Sequence, residues 1–343
     1  VKPGRIVKAI LFRMLAVLLP ALVLAAILEP IARRFDPALR LKEGTKNPFW
    51  MKDPILGHAL KPGVYGSIWR VPFRINRLGF RGPEITIEKP ANTFRIACLG
   101  DSVTMGSGLP EEVLYPHALQ QILAEKYPHL KFQAINAGVS GYGIDTELLL
   151  LQEKIIPLSP DMVVLQFCLN DVPGTVFADH INPRRDIPFP AKKLLLAHSA
   201  LARFIQERYN RIGLRNSFFG LADYLAMNPD SKSAQKINAA WKEYFSRLQA
   251  MAELCRENKI DFLLMVIPHQ AEFEDRKHEF RTEKKIAEFT GKNHIPAVFA
   301  ADAFLKEKSL PYAPGDPVHP DLDGHRILAE LIADWLSQNS PRL

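Results

Sequence analysis

Apolar residues along this chain follow two different periods. Short, nearly unbroken apolar runs at Phe94–Leu99, Phe132–Asn136, Met162–Leu169, Asp261–Ile267 and Ala297–Ala301 read as strands buried on both faces. Between them, near 115–127, 145–156, 233–258, 275–292 and 322–338, apolar positions recur at helical spacing and predict amphipathic helices. The βαβ rhythm predicts an α/β fold built on a parallel, doubly wound sheet, with its site at the carboxyl ends of the strands. Only Val172–Lys232 breaks the rhythm, inserting about 60 residues after the third strand. Its Phe177, Phe189, Phe218, Phe219 and Tyr224 form either the insertion's own small core or the wall of an acyl or sugar pocket.

The first part of the chain has another character. Met14 to Leu28 carries no charge, and the apolar run from Ile6 to Leu28 is interrupted only by Lys8 and Arg13. A bilayer core needs about 20 apolar residues in a helix, so residues 1–28 predict a membrane anchor. Lys2, Arg5, Lys8 and Arg13 at its start place residue 1 in the cytoplasm and the chain beyond the helix on the extracytoplasmic, periplasmic side. The exit Ala25-Ala26-Ile27-Leu28-Glu29-Pro30 offers no small-x-small cleavage site, which favours an uncleaved helix. Residues 29–93 then form a stalk marked by Pro30, Pro37 and Pro48, and a lead-in of small strands such as Ile68–Ile75. The last division, 94–343, holds the βαβ rhythm together with the insertion at about 172–232.

Charge sharpens this division. The 343 residues are 47% apolar and 24% charged, enough for a full-sized core and unlike a disordered chain. Residues 1–90 hold 16 Lys/Arg against 6 Asp/Glu, leaving 28 against 31 for the rest. Basic residues that flank an apolar run fit anionic lipid, so a membrane is expected as partner and nucleic acid is not. Cys98, Cys168 and Cys255 lie in apolar segments and read as reduced core thiols. No Gly-x-Gly-x-x-Gly or Gly-Lys-Ser/Thr loop follows a strand, so no nucleotide cofactor is expected. Asp316, His319 and His325 lack a familiar metal-ligand spacing, and no metal is expected.

The chemistry gathers where the strands end. Gly100-Asp101-Ser102-Val103-Thr104 puts Ser102 at the end of the first strand, just before a helix, where its Oγ faces substrate and its N–H meets developing negative charge. The second strand ends in Asn136-Ala137-Gly138-Val139-Ser140-Gly141-Tyr142-Gly143, whose glycines can turn a backbone N–H inward. After the third strand, Asn170 of Leu169-Asn170-Asp171-Val172 brings a neutral amide donor. Asp316-Pro317-Val318-His319 precedes the last helix, with a carboxylate spaced to orient an imidazole. Asp101 and Asp171 read as acceptors that brace their loops. His269 can face the cleft, His325 reads as a surface or packing residue, and Arg81 reads as a contact to an anionic substrate group or a structural tie.

These four blocks, in this order, resemble the SGNH/GDSL hydrolase family over about residues 94–338. The resemblance implies a three-layer αβα sandwich with a five-stranded, flavodoxin-like parallel sheet. By the same resemblance Ser102, Asp316 and His319 are the catalytic triad, and Ser102, Gly141 and Asn170 form the oxyanion hole, with Gly138 and Gly143 as competitors of Gly141. The activity implied is a carboxyl esterase acting through an acyl-serine. An O-acyltransferase that passes the acyl group to a sugar hydroxyl, or a non-catalytic carbohydrate-binding relative, shares the fold. Asn76-Arg77-Leu78-Gly79-Phe80-Arg81-Gly82-Pro83-Glu84 is similar to a stretch in membrane-anchored bacterial members, which points to acetyl groups of cell-surface carbohydrate as substrate.

If residues 1–28 supply location rather than core, a chain lacking them is soluble without detergent and keeps its ester turnover. An insoluble or unfolded truncation, beside a full chain that needs no detergent, would make the segment a buried helix instead.

Overall fold

The structure is a computed structural model that describes residues 19–20, 23–34, 49–68, 71–172, 198–199, 201–202, 205, 232–274 and 280–343. By contacts the chain divides into two compact units: residues 1–46 with 184–213, and 47–183 with 214–343. In the smaller unit a helical segment spans residues 23–34. Glu29 on it accepts hydrogen bonds from Ser199 Oγ at 2.7 Å and the Leu201 N–H at 3.1 Å. Leu24, Ile27 and Ile31 lie exposed on its other side. The predicted anchor falls largely outside the described residues. Among those described, no helix is long and apolar enough to cross a membrane. The aromatic residues singled out in the 172–232 insertion also lie outside them.

The larger unit opens with the lead-in. Strand β1 (Trp50–Asp53) pairs antiparallel with β2 (Gly57–Leu60), and β3 (Tyr65–Ile68) with β4 (Val71–Arg74). Phe49, Leu60, Phe73, Ile75 and Phe80 give this segment its own buried apolar centre. Five parallel strands follow: β5 (Thr93–Gly100), β6 (Lys131–Gly138), β7 (Met162–Phe167), β8 (Asp261–Val266) and β9 (Ala297–Phe299). They lie in the order β6-β5-β7-β8-β9, the doubly wound arrangement expected. Every residue of β7 is buried, the reason its sequence is apolar without alternation.

Helices in chain order are α1 (Ser102–Met105), α2 (Tyr115–Lys126), α3 (Ile144–Leu150), α4 (Lys232–Glu257), α5 (Gln270–Glu274), α6 (Arg281–Lys292), α7 (Ala301–Phe304) and α8 (Leu322–Asn339). One sheet face packs Phe94, Ile96, Met162, Val164 and Met265 against Leu119 and Leu123 of α2 and Leu328 and Ile332 of α8. On the other face the Phe167 ring meets Trp241 at 6.0 Å and Tyr244 at 5.3 Å, both from α4. Each fully buried leucine or phenylalanine contributes roughly 1.5–3 kcal/mol relative to exposure.

Several boundaries differ from expectation. The third strand stops at Phe167 because the Asp171 carboxylate accepts the Cys168 N–H at 2.7 Å and curls Leu169–Asp171 into a 3-10 turn. The helix expected over 275–292 starts at Arg281, after Phe280 at φ 50°, a left-handed backbone that no helix continues through. The fifth strand has three residues because Ala301 already begins α7. Beyond α3 the helix widens into a π turn at Leu151–Ile155 before Ile156–Leu158.

Two arginines fasten the lead-in to the sheet. Arg95 of β5 is fully buried, and its guanidinium donates to Gln133 Oε1 at 2.7 Å and to the carbonyls of Ile87 at 2.9 Å, Thr86 at 3.0 Å and Leu158. A buried charge is tolerable only when its donors are satisfied in this way. Arg81 bridges β6 at Asn136 through its backbone and has a second task at the site.

Candidate active site

Strand β5 ends at Gly100, where φ is 153° and an added Cβ would lie 2.3 Å from Thr104 Oγ1. Only glycine lets the chain turn here. Asp101 Oδ1 accepts the Val103 N–H at 2.8 Å and caps α1, so Ser102 is the first residue of that short helix. At the other end Gly106, φ 79°, terminates it.

His319 reaches Ser102 from the loop ahead of α8. Its Nδ1–H donates to Asp316 Oδ2 at 2.8 Å, which leaves Nε2 to accept the Ser102 Oγ–H at 2.8 Å. Asp316 Oδ1 meanwhile accepts the N–H groups of Val318 at 3.0 Å and His319 at 3.2 Å, so the spacing of Asp and His makes one rigid turn. The loop is held from outside by the Gln270 N–H on the Pro317 carbonyl at 3.0 Å and by Tyr312 Oη on the Pro268 carbonyl. Burial disfavours ionisation of the Asp316 carboxyl, but the His319 hydrogen bond and charge and the two backbone donors outweigh it and leave the carboxyl below its ordinary range. Burial likewise disfavours the His319 imidazolium, yet Asp316 and the charge of Asp101 outweigh it and raise the imidazole above its ordinary value. Such a chain can take the serine proton as the hydroxyl attacks.

The glycines of the second block separate cleanly. Gly138 donates its N–H to Asn136 Oδ1 at 3.1 Å, and an added Cβ would sit 2.2 Å from the Met105 nitrogen. It is glycine so that β6 can approach α1. Gly141 has φ 83° and nothing within 4 Å of an added Cβ. Among the described residues no acceptor takes up the N–H of Gly141 or of Ser102. The Val139 N–H donates to the Gly100 carbonyl at 3.1 Å and brings this loop beside the turn that carries Ser102. Gly143 instead starts α3, its carbonyl accepting from Thr146 and Glu147. Asn170 has its backbone in the turn after β7, and its side chain lies outside the described residues.

Other residues singled out in the sequence take structural places. Arg81 is 3% exposed and donates to the carbonyls of Met105, Gly106 and Leu109, each at 2.6 Å, with Phe73 4.5 Å beneath its guanidinium. It therefore holds the carbonyl end of Ser102's helix and does not face substrate; burial lowers it to about 10. His325 is buried, and its Nδ1 accepts the Tyr115 N–H at 3.2 Å, capping α2; burial pushes it down to about 3. His269 is buried beside Asp316, and desolvation lowers it to about 4 against the pull of that carboxylate.

Sequence reasoning missed Glu147. It is fully buried with Asp101 and Asp171 close by, and desolvation followed by the Asp101 charge raises it well above the ordinary carboxyl range. Desolvation, then Glu147 and Asp101, does the same to Asp171. The signal was present: Glu147 stands three residues after Ile144 and three before Leu150, on the helix's apolar stripe. No group of three or more His, Cys, Asp or Glu among the described residues is arranged to hold a metal ion.

Comparison with curated proteins gives no match. Among solved structures, the chain is similar to an acylhydrolase from Bacteroides fragilis at 15% identity, with 73% of this chain and 90% of that chain covered and a TM-score of 0.39. A GDSL-like lipase from Bacteroides thetaiotaomicron matches at 20% identity over 71% and 88%, with a TM-score of 0.37. An acetylxylan esterase from Geobacillus stearothermophilus matches at 19% identity over 70% and 93%, with a TM-score of 0.44. The family profile of GDSL-like lipases and acylhydrolases matches residues 98–327, which hold Ser102, Gly141, Asn170, Asp316 and His319, and the chain belongs to that family of ester-cleaving enzymes.

Proposed function

We propose that the protein is a serine carboxyl esterase working through an acyl-serine, with Ser102 as nucleophile, His319 as base and Asp316 as its orienting carboxylate. The observation that carries this reading is the unbroken chain Ser102 Oγ, His319 Nε2, His319 Nδ1, Asp316 Oδ2, with both hydrogen bonds at 2.8 Å. Ser102 Oγ adds to the ester carbonyl while its proton passes to His319 Nε2. The oxyanion collects the N–H groups of Ser102 and Gly141 and the Asn170 amide. Collapse expels the alcohol, which takes the proton from His319, and leaves the acyl group on Ser102. Water, deprotonated by the same imidazole, then releases the carboxylic acid. A sugar hydroxyl arriving in place of water would transfer the acyl group instead.

The substrate class we favour is the O-acetyl ester of cell-surface carbohydrate, supported by the stretch Asn76–Glu84 that resembles membrane-anchored members. An anchor at residues 1–28 would place the catalytic unit outside the cytoplasmic membrane. Incubating the purified chain with acetyl and longer acyl esters, with and without oligosaccharide, and weighing protein and products by mass spectrometry separates hydrolysis from transfer. An inert chain that never gains an acyl mass would overturn the reading.

Ser102→Ala and His319→Ala should each remove nearly all turnover, because triad members act as a unit. Both should melt cooperatively near wild type; a folded variant keeping more than about a tenth of the rate contradicts the assignment. The pH dependence has a definite sign. His319 acts as base only when neutral, so kcat/KM should fall as pH drops through the raised imidazole pKa, with a midpoint above the ordinary 6.5. A midpoint at or below that value would show that Asp316 does not support the imidazolium. Removing the Asn170 amide with Asn170→Ala should cost about 10²–10³ in kcat with little change in KM, whereas a residue that merely shapes the turn would leave kcat within a few-fold.

A further inference from the structure

The family match starts at residue 98, yet the lead-in before it reaches the loop that carries Gly141. His58 of β2 donates from Nε2 to the Ser140 carbonyl at 3.0 Å, since a carbonyl can only accept. Tyr142 donates its Oη–H back to the His58 carbonyl at 2.6 Å, and the two rings meet edge to face at 5.1 Å. Gly141 thus lies between two residues fixed to the same histidine. No neighbour crowds its free side, with nothing within 4 Å of where a Cβ would be.

The geometry of one peptide group makes this contact matter. The Ser140 carbonyl and the Gly141 N–H belong to the same planar unit, and their peptide bond is trans, so the two groups point in opposite directions. Whatever holds the carbonyl outward holds the N–H inward. Without a partner for the Ser140 carbonyl, this peptide beside a glycine can rotate and present an oxygen, not a donor, to the oxyanion. β2 is itself anchored by pairing with β1 and by buried Ala59 and Leu60, so His58 has a firm base.

We infer that His58 and Tyr142 are positioning residues of the active site, that they hold the Gly141 N–H in its donating orientation, and that the β-rich lead-in is therefore part of the catalytic unit. This rests on the serine-esterase reading above.

The test compares wild type, His58→Ala, His58→Gln and Tyr142→Phe, each checked by thermal melt, on an acetyl ester. His58→Ala should lower kcat at least about tenfold with KM within about threefold, a fraction of the loss seen when an oxyanion donor is deleted outright. The affinity of a trifluoromethyl ketone, whose hemiketal oxyanion occupies the same place, should fall in parallel. His58→Gln, with an amide donor of similar reach, should restore most of both. Tyr142→Phe, which removes only the hydroxyl, should show a smaller loss of the same kind and keeps the test alive if His58→Ala fails to fold. The inference is overturned by a folded His58→Ala with kcat within twofold of wild type, by a rise in KM alone, or by a glutamine that rescues nothing. Should Ser102→Ala retain turnover, the serine reading itself falls and this inference with it, a failure visible in the serine variant and not in the histidine ones.

Discussion

The hydrogen bond between Ser102 and His319 joins residues 217 positions apart, and it exists because the last helix packs on the first crossover helix. Leu119 and Leu123 of α2 interlock with Ile327, Leu328 and Ile332 of α8 in a single core. The junction carries a polar bond as well, since His325 of α8 caps the open N-terminus of α2, which has no side-chain cap of its own. Gly324 lets the first turn of α8 lie against the loop that precedes it: a Cβ there would lie 2.6 Å from the Pro311 carbonyl oxygen. Asp321 caps α8 through the Gly324 N–H, fixing where the helix begins and therefore where the preceding loop delivers His319. Apolar burial thus supplies the energy and two caps supply the register.

Charge around Ser102 follows the same economy. Its short helix has a carboxylate, Asp101, at the amino end and a guanidinium, Arg81, on the carbonyls at the other, the two placements that a helix end favours. Behind Asp101, Glu147 and Asp171 are pressed toward their neutral forms by burial and mutual repulsion. In their neutral forms these two acids spare the buried site a cluster of like charges.

Much of this was legible from the chain. The continuous apolar runs of β5 and β7 mark strands covered on both sides; the first three blocks fall at the ends of β5, β6 and β7, where a doubly wound sheet puts its ligand groups, and the fourth lies in the loop ahead of α8. What stayed hidden depends on partners distant in sequence. Gly138 and Gly141 look alike until one sees that Asn136 takes the first N–H and nothing among the described residues takes the second. Arg81 could have faced substrate or structure, and only the carbonyls of Met105, Gly106 and Leu109 decide it. The break before Arg281 was invisible because the residues on both sides keep helical spacing, and the left-handed Phe280 is a conformation that no propensity announces.

The three thiols have a practical consequence. Cys98, Cys168 and Cys255 are all buried and in no disulfide, and burial pushes Cys98 and Cys255 up to about 12. Thiolate is the reactive form, so burial and a raised pKa both slow the reaction of Cys98 and Cys255 with maleimides and other electrophiles at neutral pH. Tyr65→Cys, at an exposed position, would offer a dye or a spin label a far more accessible thiol than any of these three. That difference in access lets distance measurements start from a chain that keeps its own cysteines.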